Sequence, residues 1–373
     1  MRILILNWRD SKHPKSGGAE IVTLEHAKAW VKAGHTVTWF TAGFNNKRSE
    51  EFISGVKIVR WAGSLTVYLA APIYYALHRK EFDIVVDEIH GIPFFTPLYV
   101  RVPIVAFIHE VAGDIWDSMY PFPINIVGRA MELLYLRLYR NIPFWADAQA
   151  TIRDLVRHGV PADQCTAIPC PPLSRVISKL PQKEQEPTFL FVSRIVKMKG
   201  IEEVIRAFSM IYDLLPTAQL WVVGTGEGDY LATIKNNLKS VDIRSRVNFF
   251  GYVSEEKKLL FMRHAHVLLH ASVKEGWGLV VLEAASQGTP SVVYNTHGLS
   301  EVVQHGKTGI VVRDNSPQSL AREAVWLYQH PKQYRKYQEN GITWVKSLRW
   351  KDVTKASLSL LARTYEKQKF SHH

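Results

Sequence analysis

Three short stretches of this 373-residue chain carry residue types suited to a charged, hydroxyl-rich ligand. The first is KEGWGLVVLEAASQG (274–288), where Glu275 precedes a Gly276-Trp277-Gly278 turn and an apolar helical run leads to Glu283. The two acids are eight positions apart, roughly two turns at about 3.6 residues per turn. A helix starting near Gly278 leaves Glu275 ahead of its N-terminus and puts Glu283 on the side of its second turn. Amides at 276–279 would then face a phosphate between the two carboxylates. Each carboxylate can accept hydrogen bonds from paired hydroxyls, one set on a sugar and the other on a ribose. A plain helix start with a favourable acid and a surface glutamate fits the same residues equally well. The second stretch is SRIVKMKG (193–200), where Arg194 and Lys199 follow a strand. Two cations at a strand mouth suit a diphosphate; a solvated basic loop is the plainer alternative. The third, NWRDSKHPKSGGAE (7–20), is a strand-to-helix turn with Gly17 and Gly18 just before the helix. Glycines there allow close backbone approach to an anion, or serve a tight turn that needs positive φ. The stretch is not GxGxxG, so a nicotinamide cofactor has little support.

The elements around these stretches alternate. RILILNW, TVTWF, VKIVRW, FDIVVDE and VPIVAFIH read as strands, with helical patterns between them, one starting near Glu20 and stopping at Gly34. Such alternation predicts a parallel sheet covered on both faces. It halts at PCPP near Cys170, and the proline-closed SRVISKLPQKEQEP reads as a linker. It then restarts with TFLFVSR, a helix over 201–214, AQLWVVG, VNFFGYV, HVLLHAS, TPSVVYN and TGIVVRD, and a basic helical stretch runs from about 317. The expected fold class is α/β: two Rossmann-like domains facing each other across a cleft. Ligands in such sheets bind at the carboxyl ends of the strands. The expected division is an N-terminal domain over 1–172, a linker over 173–187, a C-terminal domain over 188–345 and a basic helix over 346–373.

Composition narrows the class further. With 47% hydrophobic and 21% charged residues the chain is globular. Cys165 and Cys170 match no zinc, redox or disulfide pattern and read as reduced cytosolic thiols. MRILILNWRD is too short and too soon charged for a signal peptide, and the longest apolar stretch is broken by Arg101 and prolines. The net charge of +12 is uneven, because residues 332–373 hold ten basic and three acidic residues. Without a nucleic-acid-binding signature, this favours phosphorylated ligands or anionic lipid over nucleic acid.

Taken together and in order, the three stretches resemble the retaining glycosyltransferases of family 4, the "glycosyltransferase group 1" enzymes of the GT-B fold. Gly224-Thr225-Gly226, FFGYV (249–253) and HGLSEVVQHGKTGIVV (297–312) extend the resemblance over nearly the whole chain. It implies that Arg194 and Lys199 neutralise the donor diphosphate, Glu275 holds hydroxyls of the transferred sugar and Glu283 binds the ribose diol. Gly276, Trp277 and the amides of Gly278, Leu279 and Val280 would line the phosphates, with Gly17 and Gly18 bordering the donor phosphate and the acceptor. Gly224, Tyr252 and Val253 fall where the nucleobase packs. His109 matches a histidine that reaches the donor sugar from the N-terminal domain; a buried structural histidine is the plainer alternative. Glu110 and Asp114 would shape the acceptor site or cap the next helix. The N-terminal domain would receive the acceptor, and the last helix would cross back to it. The chain departs from the family pattern mildly at Ala271-Ser272, at His297-Gly298 and Ser300, where a histidine near the donor-sugar pocket leaves the donor open, and at PCPPLSR, which leaves the hinge between domains open.

The expected reaction is transfer of a hexose-type sugar from a UDP- or GDP-sugar to an acceptor hydroxyl, on a glycan or a lipid-linked acceptor, with retention at the anomeric carbon. There is no DxD motif, so neither a cofactor nor an obligatory metal is expected. Amphipathic stretches at 68–80 and 120–145 fit ordinary core packing or rest on an anionic membrane surface. The expected location is cytoplasmic, with a peripheral place on the inner face of the membrane. The rival reading is a non-catalytic nucleotide-sugar-binding or basic nucleic-acid-binding protein on the same fold.

Overall fold

The computed structural model describes residues 1–44, 49–113, 115–226, 229–238 and 242–371. The chain divides into two compact units. Unit 1 comprises Met1–Trp116, Phe122–Cys170 and Arg349–His373; unit 2 comprises Asp117–Pro121 and Pro171–Leu348.

Unit 1 runs β1 (Arg2–Leu6), α1 (Gly18–Lys32), β2 (Thr36–Thr41), β3 (Ser49–Ile53), β4 (Val56–Arg60), α2 (Val67–His78), β5 (Ile84–Ile89) and β6 (Ile104–Ile108). After a short α3 (Ile115–Met119) come α4 (Ile124–Leu138), β7 (Phe144–Ala146), α5 (Gln149–Arg157) and β8 (Cys165–Ala167). The sheet order is β3-β4-β2-β1-β5-β6-β7-β8, parallel except for the β3–β4 pair. β5 and β6 are buried along their whole length and β1 from Ile3 onward, as central strands of a parallel sheet covered on both faces should be.

Register decides which helices share a face. Leu4 pairs with Val85, Leu6 with Asp87, Val85 with Ile104, Asp87 with Ala106 and Ala106 with Phe144. Side chains alternate with period two, so these residues point to one side. Tyr74 and Tyr75 of α2 pack with Leu4, Leu6 and Val85, while Tyr135 and Leu136 of α4 pack with Ala106, Ile108 and Phe144. α2 and α4 therefore cover the same face. Asp87, buried beneath them, accepts from the Tyr139 hydroxyl and from Thr96 Oγ1 at 2.7 Å. On the opposite face Trp145 stacks on Phe107 at 3.9 Å and meets His26 of α1 edge-on at 4.5 Å. The helix at 350–371 returns to this side, where Ser357 Oγ lies 2.9 Å from His26 Nδ1 and accepts from Trp30 Nε1 at 3.1 Å.

Unit 2 runs β9 (Thr188–Val192), α6 (Ile201–Leu214), β10 (Gln219–Val223), α7 (Asp229–Asn237), β11 (Val247–Gly251), α8 (Glu255–His264), β12 (Val267–His270), α9 (Leu279–Ser286), β13 (Ser291–Val293), α10 (Leu299–Val302) and β14 (Gly309–Val311). α11 (Pro317–Gln329) and α12 (Pro331–Ser347) close it, and α13 (Trp350–Ser371) is the helix that belongs to unit 1. The expected single basic stretch is thus three helices, broken where Pro331 and Leu348 stop the preceding runs. The sheet order is β11-β10-β9-β12-β13-β14, all parallel. The 173–187 segment forms no regular element and packs on unit 2. Lys183 donates to Arg263 O at 3.1 Å and to Thr289 Oγ1 at 2.5 Å, and burial pulls its amine down to about 7. Among the described residues, no helix is long and apolar enough to cross a membrane.

Candidate active site

In each sheet the strand order reverses direction beside the first strand of the unit, between β1 and β5 and between β9 and β12. Loops at the carboxyl ends there diverge and leave room for a ligand. Every described residue singled out from the sequence except Glu283 lies in a loop or at an element boundary following β1, β6, β9, β10, β11 or β12.

In unit 2 the β9 and β12 loops are joined backbone to backbone, Val273 N donating to Met198 O at 2.9 Å. Gly200 makes this fit possible, because a Cβ there would stand 2.0 Å from Ala271 O. The result brings Lys199 Nζ to 2.7 Å from Glu275 Oε1. His270, the last residue of β12, donates from Nε2 to the same oxygen at 2.9 Å. Burial alone would push the Glu275 carboxyl up; Lys199 and His270 outweigh it and hold the group well below the usual carboxylate range. The loop after β13 pins the Glu275 backbone, whose amide donates to His297 O at 3.1 Å. The His297-Gly298 pair that departs from the family pattern is thus in contact with Glu275.

Gly278 opens α9 at φ 76°, a conformation that favours glycine. Leu279 and Val280 are the first two helical residues, whose amides have no partner within a helix. Gly276 and Trp277 precede them, Trp277 being buried. Glu283 is buried on α9 and is not joined to Glu275. Lys258 of α8 meets it at 2.8 Å; burial still leaves its carboxyl above the ordinary value. Gly224 donates to Gly251 O at 2.9 Å, which places it beside Tyr252, exposed, and Val253, half-buried. Arg194 is exposed and its guanidinium forms no ion pair among the described residues.

In unit 1 the loop after β1 is fixed by buried charge. Arg9 pairs with Glu20 at 2.9 Å, and Arg60 at the end of β4 holds Asp10 at 2.7 and 2.9 Å. Gly17 N donates to Glu20 Oε2 at 2.6 Å, and α1 begins at Gly18. The tight-turn alternative for these glycines does not hold: Gly17 has φ −133° and Gly18 is not among the residues of positive φ. A Cβ on Gly17 would make only an ordinary contact, at 3.7 Å.

His109 directly follows β6 and is held by two carboxylates. Nδ1 lies 2.7 Å from Asp147 Oδ2, and Nε2 lies 3.1 Å from Glu88 Oε1. Burial opposes its charge, but Asp147 and then Glu88 raise the imidazole to about 10, so both nitrogens carry protons and donate. Glu88 Oε1 also receives Thr23 Oγ1 at 2.8 Å and His90 Nε2 at 3.0 Å. Glu88, His90 and His109 form the one group of converging potential metal ligands among the described residues. Hydrogen bonds already join these atoms without an ion. Glu110 is half-buried; in the next turn the amides of Ala112 and Gly113 donate to Glu132 at 2.7 and 2.8 Å. Asp114 lies outside the described residues.

Sequence reasoning missed Glu88, Asp147, Lys258 and His270. A signal was present in FDIVVDEIH, where two adjacent acids end an apolar strand and must therefore be buried with partners.

Residues 16–171 match the family model described as Glycosyltransferase Family 4, and residues 175–344 match that of Glycosyl transferases group 1. The chain belongs to the family 4 glycosyltransferases. An uncharacterised glycosyltransferase of Haemophilus influenzae is 23% identical, with 86% of this chain and 89% of that protein covered. The N-acetyl-alpha-D-glucosaminyl L-malate synthase of Bacillus anthracis is 32% identical over 42% of this chain and 40% of its own length. An uncharacterised glycosyltransferase of Methanocaldococcus jannaschii is 36% identical over 37% of this chain. The match covers 35% of that protein, so with these more identical relatives the chain shares less than half their length. Among solved structures, sucrose-phosphate synthase from Thermosynechococcus elongatus superposes over all of both chains with TM-score 0.81 and 20% identity. HepE of Anabaena, solved with UDP and glucose, gives TM-score 0.77 at 17% identity over 97% of this chain and 100% of that one. At such identities the likeness establishes the fold, which is GT-B with two Rossmann-like domains.

Proposed function

We propose that this family 4 glycosyltransferase moves a hexose-type sugar from a nucleoside-diphosphate sugar, UDP- or GDP-linked, to an acceptor hydroxyl on a glycan or lipid-linked acceptor, with retention. The observation that carries this reading is Glu275. Its half-buried carboxylate, kept ionised by Lys199 and His270 beside the start of α9, suits sugar hydroxyls that donate to it. HepE, the neighbour solved with UDP-glucose, supports a UDP-sugar as the first donor to test.

In this reading the acceptor oxygen bonds to the anomeric carbon on the face from which the diphosphate departs. The carbon–oxygen bond to the phosphate breaks, and the departing phosphate oxygen takes the acceptor proton. Negative charge grows on the leaving group, where Arg194, Lys199 and the amides of Gly278, Leu279 and Val280 stabilise it; losing one such donor costs about 2.7–4 kcal/mol. These cations stand where a metal would otherwise be needed, so activity is expected to survive a chelator. Glu283 binds the ribose diol, Gly224, Tyr252 and Val253 face the base, and Gly276 and Trp277 shape the phosphate turn. Gly17 needs no glycine for its own φ or packing, which supports close ligand approach there and at Gly18. Glu110 and Asp114 shape the acceptor site. His109 contacts the donor sugar; because both its N–H groups are engaged, it does so by exchanging the longer bond to Glu88.

A thermal-shift series with UDP, GDP, ADP and their sugars tests the donor, since binding to the native state raises the melting temperature by mass action. Stabilisation by one nucleotide class, lost in Arg194→Ala, is the expected result. No shift with any of them would overturn the assignment of the diphosphate site. Proton NMR of the first-formed product reads the anomeric configuration, and inversion would rule out the mechanism above.

A further inference from the structure

Glu88 and His90 stand two positions apart at the end of β5, and His109 directly follows β6. Register sets all three on one side of the sheet. Glu88 pairs with Phe107 and Ile89 with Ile108, so a side-chain period of two brings His90 opposite His109. Both rings aim Nε2 at one oxygen. Glu88 Oε1 lies 3.0 Å from His90 Nε2 and 3.1 Å from His109 Nε2, and the three atoms all fall within 4.8 Å of one another. An imidazole nitrogen binds a metal along the axis on which it would hold its proton, so these two axes converge. A tetrahedral zinc ion, with bonds of about 2.0–2.2 Å, keeps its ligand atoms about 3.3–3.5 Å apart. Small side-chain rotations reach that spacing from the distances observed.

Two further observations point to a cation. The second oxygen of Glu88, Oε2, is buried and meets no hydrogen-bond donor among the described residues, in a side chain whose residue is 1% exposed. Leaving a carboxylate oxygen unmet at that depth is costly, and coordination relieves it. His109 Nδ1, on the far side of its ring, lies 2.7 Å from Asp147 Oδ2. A histidine that ligates a metal through one nitrogen typically donates from the other to a carboxylate, which fixes the ring and makes it a stronger ligand. Charge agrees. Among the described residues Glu88 is met by Thr23 and the two imidazoles, and Asp147 by His109. Two buried acids are thus balanced by histidine alone, whereas a divalent ion matches both.

We infer that Glu88, His90 and His109 hold a zinc ion, with Asp147 as the positioning residue behind His109. Two imidazoles and one carboxylate, with a fourth place for water, are a zinc ligand set; magnesium and calcium take mainly oxygen, and iron(II) binds such sites less tightly than zinc. The ion replaces the ring protons directed at Glu88, which pass to water. The side chains of His90 and His109 are 14% and 13% exposed, so the site opens to solvent. The inference does not rest on the sugar-transfer reading: zinc binding is measured with no donor present, so either can fail alone.

The test is equilibrium dialysis of the chelator-stripped full chain against zinc in an excess of magnesium. One tightly held zinc per chain is expected, at a site where cobalt(II) shows the visible bands of tetrahedral coordination. His90→Ala and Glu88→Gln should each weaken zinc binding at least about tenfold, or about 1.4 kcal/mol. Asp147→Asn should weaken it about 10–100-fold and shift the cobalt bands. The adjacent histidines at 372 and 373 and the exposed His78, paired with Glu81 at 2.9 Å, are places for an adventitious ion. His78→Ala combined with His372→Ala and His373→Ala should leave the zinc in place. If Glu88→Gln melts early, His90→Ala carries the test, because that ring is half-buried and joined to the cluster by one hydrogen bond. A chain that retains no zinc overturns the inference. So does an adventitious ion only, seen as zinc lost from the triple histidine variant, and so does unchanged affinity in His90→Ala or displacement of zinc by magnesium.

Discussion

His109 donates from both ring nitrogens, to Asp147 at 2.7 Å and to Glu88 at 3.1 Å, and that has a pH signature. Its folded-state value is raised from 6.5 to about 10. The folded chain therefore binds more protons than the unfolded one between those values. The stabilisation from this pairing is complete below about pH 6.5 and is lost as pH rises through about 10, at no more than about 1.4 kcal/mol per pH unit. Asp147→Asn removes the closer of the two carboxylates and should flatten this slope. Urea unfolding followed from pH 6 to 10 checks it, and an unchanged slope would place the proton elsewhere. His109, Glu275 and Lys199 were legible in the sequence because each follows a strand. Asp147 and Lys258 were not, because their partners, His109 and Glu283, are distant in sequence and near only after the sheets form. The Arg194–Lys199 spacing puts two cations at one strand mouth. The fold turns Lys199 onto Glu275 and leaves Arg194 exposed, a distinction that spacing cannot carry.

Glycines at loop crossings set the geometry between elements. Gly298 has φ 79°, and a Cβ there would stand 2.3 Å from Glu275 O. Gly306 has nearly the same φ, 74°, with nothing near its absent Cβ. Gly298→Ala should therefore displace Glu275 and cut kcat/KM at least about tenfold, a cost of about 1.4 kcal/mol or more in the transition state. Gly306→Ala should cost stability alone, about 1–2 kcal/mol for a left-handed residue. Steady-state rates beside melting curves separate the two; equal rate loss in both would mean that backbone strain, not the Glu275 contact, is responsible. At this scale the sequence was informative. The helix over 201–214 and the strands at VKIVRW, FDIVVDE and VPIVAFIH form where apolar periodicity puts them. The 173–187 segment was less legible: its prolines break regular structure, as read, but a half-buried lysine anchoring it to the rest of unit 2 has no local signal.

At the level of the whole molecule, unit 1 is assembled from both ends of the chain. Ser357 accepts from the indole of Trp30 and meets His26, both fully buried, and donates to Thr354 O at 3.0 Å, so its hydroxyl serves three groups with no access to water. Ser357→Ala should cost about 1–3 kcal/mol, the penalty for a buried donor left unmet. Urea unfolding monitored by tryptophan fluorescence reads it, and a change under about 0.5 kcal/mol, typical of surface substitutions, would mean that the site is hydrated. The same arrangement has a consequence during synthesis. Trp30 leaves the ribosome early, yet the helix that covers it is translated only after residues 171–348, which make up the body of unit 2. At about 5–20 residues per second that is a wait of roughly 10–35 s. For that interval the nascent chain carries a nearly finished sheet with one tryptophan-lined side open, a natural place for a chaperone to hold it until the last helix arrives.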